Sequence, residues 1–226
     1  VVEMPWIKKA KAVLHGYLGG QAGASAMLDV ITGKVNPSGK LNETYPICYE
    51  DTPTYAYYPG KERNSEYREG VYVGYRYYDT IKKEVLFPFG FGLSYTDFSY
   101  SNLKLSENGV RFWITNVGKI AGAEIAQLYI EKENPVVFRP VHELKGFCKL
   151  FLQPGETREV EIPFENRTFK YFNVQTGNWE TEEGNYKIMI AKNSRETVLQ
   201  GEIYRKGTGA ENPYKELPDV YQTGHI

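Results

Sequence analysis

LFPFGFGLSYT, Leu86 to Thr96, lies where one kind of sequence stops and another begins. Pro88, Gly90 and Gly92 are set among Phe87, Phe89 and Phe91, and Tyr95 follows. Proline fixes φ and glycine admits conformations closed to other residues, so the backbone can turn tightly here. Four aromatics in nine residues need a surface to pack on. The stretch reads as a packed hinge, with Phe89, Gly90, Phe91, Gly92 and Tyr95 as interdomain packing residues.

Downstream of the hinge, from Phe98, the texture is all β. Candidate strands are YSNLKLS (100–106), VRFWITNVG (110–118), AEIAQLYIEKE (123–133), HELKGFCKLFL (142–152), REVEIPF (158–164), KYFNV (170–174), NYKIMIAK (185–192) and VLQGEIYR (198–205). Turn signals such as Glu107-Asn108-Gly109, Pro154-Gly155 and Thr176-Gly177-Asn178 separate them. Alternation sets Val160 and Ile162 on one face and Glu159 and Glu161 on the other. Tyr186, Ile188 and Ile190 likewise share a face. About seven short strands over ~100 residues is the pattern of an immunoglobulin- or fibronectin-like sandwich.

Upstream, residues 1–46 read as α/β. AKAVLHGYL (10–18) is a short apolar run suited to a buried strand. Gly19 and Gly20 break it. Ala22, Ala26, Met27, Val30 and Ile31 then mark one helical face, Gly33 ends the helix, and Asn36-Pro37-Ser38-Gly39 is a turn. One βα unit cannot cover both faces of a parallel sheet, so the rest of that sheet is expected from residues outside this chain. Residues 47–70 have no sustained period and read as a long loop. VYVGYRYYD (71–79), rich in β-branched and aromatic residues, reads as a strand. The division expected is 1–46, the end of an α/β-sandwich domain; 47–97, loop and connector; 98–205, β-sandwich; and 206–226, exit linker.

Composition bounds the rest. The chain has 226 residues, and its 27 basic and 28 acidic residues leave nothing to favour a nucleic-acid partner. No apolar run approaches the ~20 residues of a membrane helix. Cys48 and Cys148, 100 residues apart, are too few for a disulfide framework and read as reduced thiols. His15, His142 and His225 are scattered, so no metal site or cofactor is expected. The start at Val1 looks like the middle of something longer. Few cysteines and no visible leader are compatible with the cytoplasm.

Several phrases carry a family resemblance. HGYLGGQAGASAMLDVITGKVNPSGKLNETYP (15–46), YREGVYVGYRYYD (67–79), FPFGFGLSYT (87–96), ITNVGKIAGAEIAQLYI (114–130) and RPVHELKGFCKLFLQPGETREVEIPF (139–164) occur in order along nearly the whole chain. Together they resemble the later domains of family 3 glycoside hydrolases of the β-glucosidase type. The resemblance implies the end of an α/β-sandwich domain followed by a fibronectin type III-like domain. It also implies hydrolysis of terminal β-linked sugars by a retaining pair of carboxyl groups ~5 Å apart. In the resembled proteins the nucleophile is an Asp in a TIM-type barrel, and the acid/base is a Glu ahead of the region where this chain begins. Neither motif has a counterpart here, so no catalytic residue is expected in this chain. The partners implied are the barrel, the rest of the α/β sandwich and a β-glucoside or oligosaccharide. The tail ELPDVYQTGHI (216–226) resembles a connector leading onward, as in members whose barrel comes last.

Candidate substrate-near residues sit in the long loop: Glu66, Tyr67 and Arg68, with Tyr57 and Tyr58. Carboxylate, guanidinium and aromatic rings can line a sugar subsite. The same balanced charges equally suit an interdomain clamp of solvated ion pairs. Arg76, among Tyr75, Tyr77 and Tyr78, reads as an interdomain residue in an ion pair, on backbone or stacked on a ring. The glycines of Gly19-Gly20-Gln21-Ala22-Gly23 lack the spacing of a phosphate loop and read as close strand–helix packing. A carbohydrate-binding or purely structural sandwich module is the alternative function, but either leaves residues 1–46 without a purpose.

Overall fold

The computed structural model describes residues 2–60, 63 and 67–211. Its centre is a two-layer sandwich of antiparallel strands. One sheet joins β3 (Phe98–Ser106), β4 (Gly109–Asn116) and β7 (Thr157–Pro163) in the order β3-β4-β7. The other joins β5 (Gly122–Lys132), β6 (Glu143–Leu152), β10 (Gly184–Asn193) and β11 (Glu196–Arg205) in the order β11-β10-β5-β6. The pairings β4–β7 and β5–β10 bring together strands far apart in sequence, as a fibronectin-type sandwich requires. All eight expected strands are present. A further short strand, β9 (Asn178–Thr181), pairs with β8 (Lys170–Asn173) about the expected Thr176-Gly177-Asn178 turn.

Two-residue alternation builds the core. Val110, Phe112 and Ile114 of β4 and Ala126, Leu128 and Ile130 of β5 point inward, as do Val160 and Ile162 of β7. Tyr186, Ile188 and Ile190 of β10 complete the layer, all fully buried. Each such side chain contributes about 1.5–3 kcal/mol. The opposite faces take charge: Arg111 meets Glu161 across strands β4 and β7 at 3.0 Å. Asn116 is the polar exception. It is fully buried at the end of β4, accepting from Thr96 Oγ1 and Gly118 N and donating to the Ile120 and Leu152 carbonyls. A buried amide so fully satisfied fixes one register rather than costing stability.

The N-terminal part differs from its expected form in two places. Residues 10–18 form no strand. A strand exists through a neighbour's hydrogen bonds, and no neighbouring strand lies among the described residues; Val13, Leu14 and Leu18 are exposed instead. The glycine reading holds for the turn, because a Cβ on Gly19 would meet Gly23 Cα at 2.9 Å. Helix α1 (Gly23–Ile31) follows and stops at Gly33, which takes the left-handed φ of 76°. Segment 71–79 is the second correction. Instead of a strand it contains helix α2 (Tyr75–Thr80), entered through Gly74 at φ 60°. Tyr72, Tyr75 and Tyr78 are buried at a spacing of three, so burial follows helical rather than strand periodicity. The helix ends in a Schellman motif: Lys82 is left-handed, its N–H donates to Asp79 O, and Lys83 N–H donates to Tyr78 O. Two short strands, β1 (Tyr45–Pro46) and β2 (Val85–Phe87), pair with each other and frame the hinge.

Candidate functional site

The seam between the N-terminal part and the sandwich holds buried ion pairs and a buried amide network. The hinge glycines explain it first. Gly90 has φ 80°, and a Cβ there would stand 2.2 Å from Gln127 Oε1. The bare backbone lets Gln127, buried in β5, donate to Gly90 O at 3.1 Å and to Lys192 O at 2.7 Å. Gln127 Oε1 accepts in turn from the Tyr129 hydroxyl at 2.7 Å. A Cβ on Gly92 would stand 2.4 Å from Gly39 O. There residues 36–41 lie against the hinge: Gly90 N–H donates to Leu41 O and Leu41 N–H to Phe91 O. So each glycine sits where a Cβ would collide, Gly90 with the Gln127 side chain at a left-handed φ and Gly92 with the Gly39 backbone.

The turn Asn36-Pro37-Ser38-Gly39 is more than a turn. Asn36 Nδ2 donates to Ala121 O, at the start of the sandwich sheet, while its Oδ1 accepts from Ser94 Oγ and Tyr95 N. The Tyr95 hydroxyl reaches back to Val30 O on α1 at 2.8 Å. Lys40 forms an ion pair of 3.0 Å with Glu124 of β5, the two side chains only 13% and 5% exposed. A charged pair this buried holds position well, because removing one partner strands the other charge.

Helix α2 is sealed to the sandwich by aromatic and ionic contacts. Tyr75 stacks on Phe89 with centroids 4.9 Å apart, lies edge-on to Tyr129, and accepts at its hydroxyl from Leu144 N–H. Asp79 pairs with His142 Nε2 at 3.1 Å and with Arg195 Nε at 2.6 Å. Burial alone would raise the Asp79 pKa, but hydrogen bonds from His142 and Arg195 outweigh it and hold the carboxyl below its usual range. Glu143 is likewise buried yet held low by Lys145, Arg139 and Arg76. Burial pulls the Lys145 ammonium below its ordinary value against the attraction of Glu143. Burial pushes the Tyr78 hydroxyl up to about 12.

The sequence-selected residues divide accordingly. Phe89, Gly90, Phe91, Gly92 and Tyr95 all lie in the seam; Phe91 stacks on Phe87 at 5.2 Å. Arg76 is half-buried, and its positive charge acts on Glu143. In the long loop, the Arg68 guanidinium lies 4.3 Å from the centroid of the Tyr57 ring. Tyr57, Tyr58 and Tyr67 are exposed, Tyr67 by 89%. Glu66 lies outside the described residues, as do 212–226 of the tail. Sequence reading missed Lys40, Glu124, Gln127 and the Asp79–His142–Arg195 group. Glu124 and Gln127, set among the apolar residues of 123–130 in β5, were the available signal. No group of three or more His, Cys, Asp or Glu that could hold a metal occurs among the described residues. Cys48 and Cys148 are both free thiols.

Comparison with known proteins accounts for this two-part plan. Residues 1–95 match the glycosyl hydrolase family 3 C-terminal domain, and residues 124–194 match a fibronectin type III-like domain. The chain is 49% identical over 210 residues to thermostable beta-glucosidase B of Acetivibrio thermocellus, covering 89% of this chain and 28% of that protein. It is 40% identical to an exo-alpha-(1->6)-L-arabinopyranosidase of Bifidobacterium breve, covering 94% of this chain and 29% of the relative. The crystal structure of the Bifidobacterium adolescentis GH3 beta-glucosidase superposes with a TM-score of 0.89 at 41% identity, covering 96% of this chain and 33% of that one. The chain therefore spans under a third of the curated relatives compared. From these matches and the shared architecture, the chain belongs to glycoside hydrolase family 3, as the end of its C-terminal α/β domain joined to a fibronectin type III-like sandwich.

Proposed function

We propose that this chain is the supporting, non-catalytic portion of a β-glucosidase-type enzyme. It would complete the α/β sandwich and hold the fibronectin-like domain at a set angle to a catalytic barrel. The observation that carries this reading is the contrast in surfaces. Val13, Leu14, Leu18, Leu28 and Ile31 are exposed within residues 13–31, while the sandwich gathers its inward-facing apolar side chains into a buried core. An apolar surface of that kind calls for a protein layer over it. Substrate hydrolysis would use the retaining mechanism of two carboxyl groups, both supplied by the barrel and by the earlier part of the α/β domain. The relatives' names span beta-glucosidases and an exo-alpha-(1->6)-L-arabinopyranosidase.

The proposed division is 1–46, 47–97, 98–205 and 206–226, with the seam residues Arg76, Phe89, Gly90, Phe91, Gly92 and Tyr95 in interdomain packing. Tyr57, Tyr58, Tyr67 and Arg68, with Glu66, are proposed to edge the substrate pocket; the stacked Tyr57–Arg68 pair supports a fixed ring for a sugar face. The test is hydrolysis of an aryl β-glucoside by this chain alone and then mixed with a separately made partner that carries the barrel and the earlier α/β residues. Silence alone with recovery on mixing supports the proposal. Turnover by the chain alone would overturn it.

A further inference from the structure

A pocket of about 400 Å³ opens between the end of α2 and the outer face of the four-stranded sheet. Tyr129 and Met189 supply its apolar lining, and Asp79, His142, Ser194 and Arg195 supply polar groups. The volume lies within the ~300–1,000 Å³ of small-molecule sites, which pair an apolar lining with a few convergent polar groups. Three further observations bear on its ligand.

The first is an unmet hydrogen-bonding group. Ser194 is 7% exposed, and its buried hydroxyl has no partner at hydrogen-bonding geometry, although it lies close enough to Asp79 to help hold that carboxyl low. Ser194 N–H is already committed to Phe89 O, so the residue is held in place by its backbone. A buried hydroxyl without a partner is unfavourable and is relieved by a ligand that supplies one. The second is a fixed donor and acceptor array. The Asp79 side chain is 5% exposed, and each of its oxygens holds one donor, His142 Nε2 or Arg195 Nε. A carboxylate has about four lone-pair sites, so acceptor capacity remains beside Arg195, whose Nη2 already donates to Lys83 O at 2.6 Å. The third is charge. Lys82 and Glu84 at the rim balance each other, as Arg195 and Asp79 do inside. A balanced site gives no net attraction to an ion.

Fixed donors and acceptors, an idle hydroxyl, an apolar floor and no net charge together match the hydroxyls and C–H face of a sugar ring. We propose that this pocket binds a neutral polyhydroxylated ligand, a free monosaccharide or the terminal sugar residue of a glycan. The site depends only on residues of this chain and stands or falls apart from the role proposed above.

The test is a titration of the full chain with D-glucose, followed by amide chemical shifts, with sodium phosphate titrated in parallel. Saturable shifts are expected at the amides of Ser194, Arg195 and Thr197, with a Kd on the order of 1–10 mM, as suits a ligand held by a few hydrogen bonds. Ser194→Val removes the hydroxyl, and with it the interaction that helps hold the Asp79 carboxyl low, and is expected to weaken binding at least about tenfold. Thr197→Ile, at the exposed mouth, gives a second variant that leaves the buried groups untouched and is expected to weaken binding severalfold. Three results would each overturn the proposal: no saturable shift at these amides up to ~100 mM glucose, saturation by phosphate but not by glucose, or glucose shifts that both variants leave unchanged.

Discussion

The sandwich and the N-terminal part are built from similarly apolar sequence, yet they dispose of it in opposite ways. The sandwich core gathers fifteen buried side chains from its two sheets and hairpin, closing on itself. Among residues 2–46 only Met4, Gly23, Thr44, Tyr45 and Pro46 are buried. The difference lies in pairing partners. Each sandwich strand finds its neighbour within the chain, so both backbone and side chains are satisfied locally. Residues 10–18 have the composition of a strand but no described neighbour, and α1 has an apolar face with little against it. Apolar sequence becomes core only where topology supplies the other half.

The contrast can be broken by mutation, beginning with the largest effect. Leu128→Ala, at a fully buried site facing the second sheet, is expected to destabilise the sandwich by about 4 kcal/mol, read as a shift in the urea midpoint. A loss below ~1 kcal/mol would mean that the sandwich core is not the stable unit claimed here. Next, Lys40→Met strands Glu124 in the seam and is expected to cost about 3 kcal/mol of local stability. The readout is hydrogen exchange at Leu41 and Gly90, whose amides bond across the hinge, quickening by roughly a hundredfold. Adding Glu124→Leu to that variant should restore much of the protection. Unchanged exchange in Lys40→Met would show that the two parts are not held together through this pair.

Acid sharpens the comparison next. Asp79 and Glu143 both have folded-state pKa values below their ordinary ones. The stability they add is therefore present above the unfolded carboxylate range and is lost as pH falls below about 4. The melting temperature of the whole chain is expected to drop through that window, and Asp79→Asn, already weakened at neutral pH, is expected to drop less. A variant with the same acid slope as the parent would remove Asp79 from the account. The smallest effect is expected at α1. Leu28→Lys and Ile31→Lys, at sites 58% and 67% exposed, should change unfolding by less than about 0.5 kcal/mol while reducing self-association in sedimentation. A loss as large as that at Leu128 would mean that this face is already buried in the chain as it stands.

Much of the fold was legible in the residues because it depends on short-range regularities. Alternation in TREVEIPF and NYKIMIAK put Val160, Ile162, Tyr186, Ile188 and Ile190 inside, where they are. Turn chemistry located the hairpins, and glycine pattern located the hinge. The two errors, at 10–18 and 71–79, share a cause. β-branched and aromatic residues report burial, but not which partner provides it. At Gly74, a φ of 60° turns the chain into a helix that buries Tyr75 and Tyr78, and a Tyr-rich run alone cannot signal that.

The seam was half legible for a related reason. Gly90 and Gly92 stood out because only glycine fits at the left-handed φ of Gly90, against Gln127, and so close to the Gly39 backbone at Gly92, and that demand leaves its mark on a single residue. Lys40 with Glu124, Gln127 with Gly90, and Asp79 with His142 and Arg195 are pairs separated by 37 to 116 residues. Each partner alone is an ordinary polar residue, and nothing in its local sequence names the other. By itself, then, the sequence determined the strands, the turns, the hinge and the family likeness, all of which follow from periodicity, backbone permission and ordered motifs. Tertiary structure alone decided which charges meet, which hydroxyl is left idle beside α2, and which apolar face stays open, because those depend on distances that only the folded chain brings about.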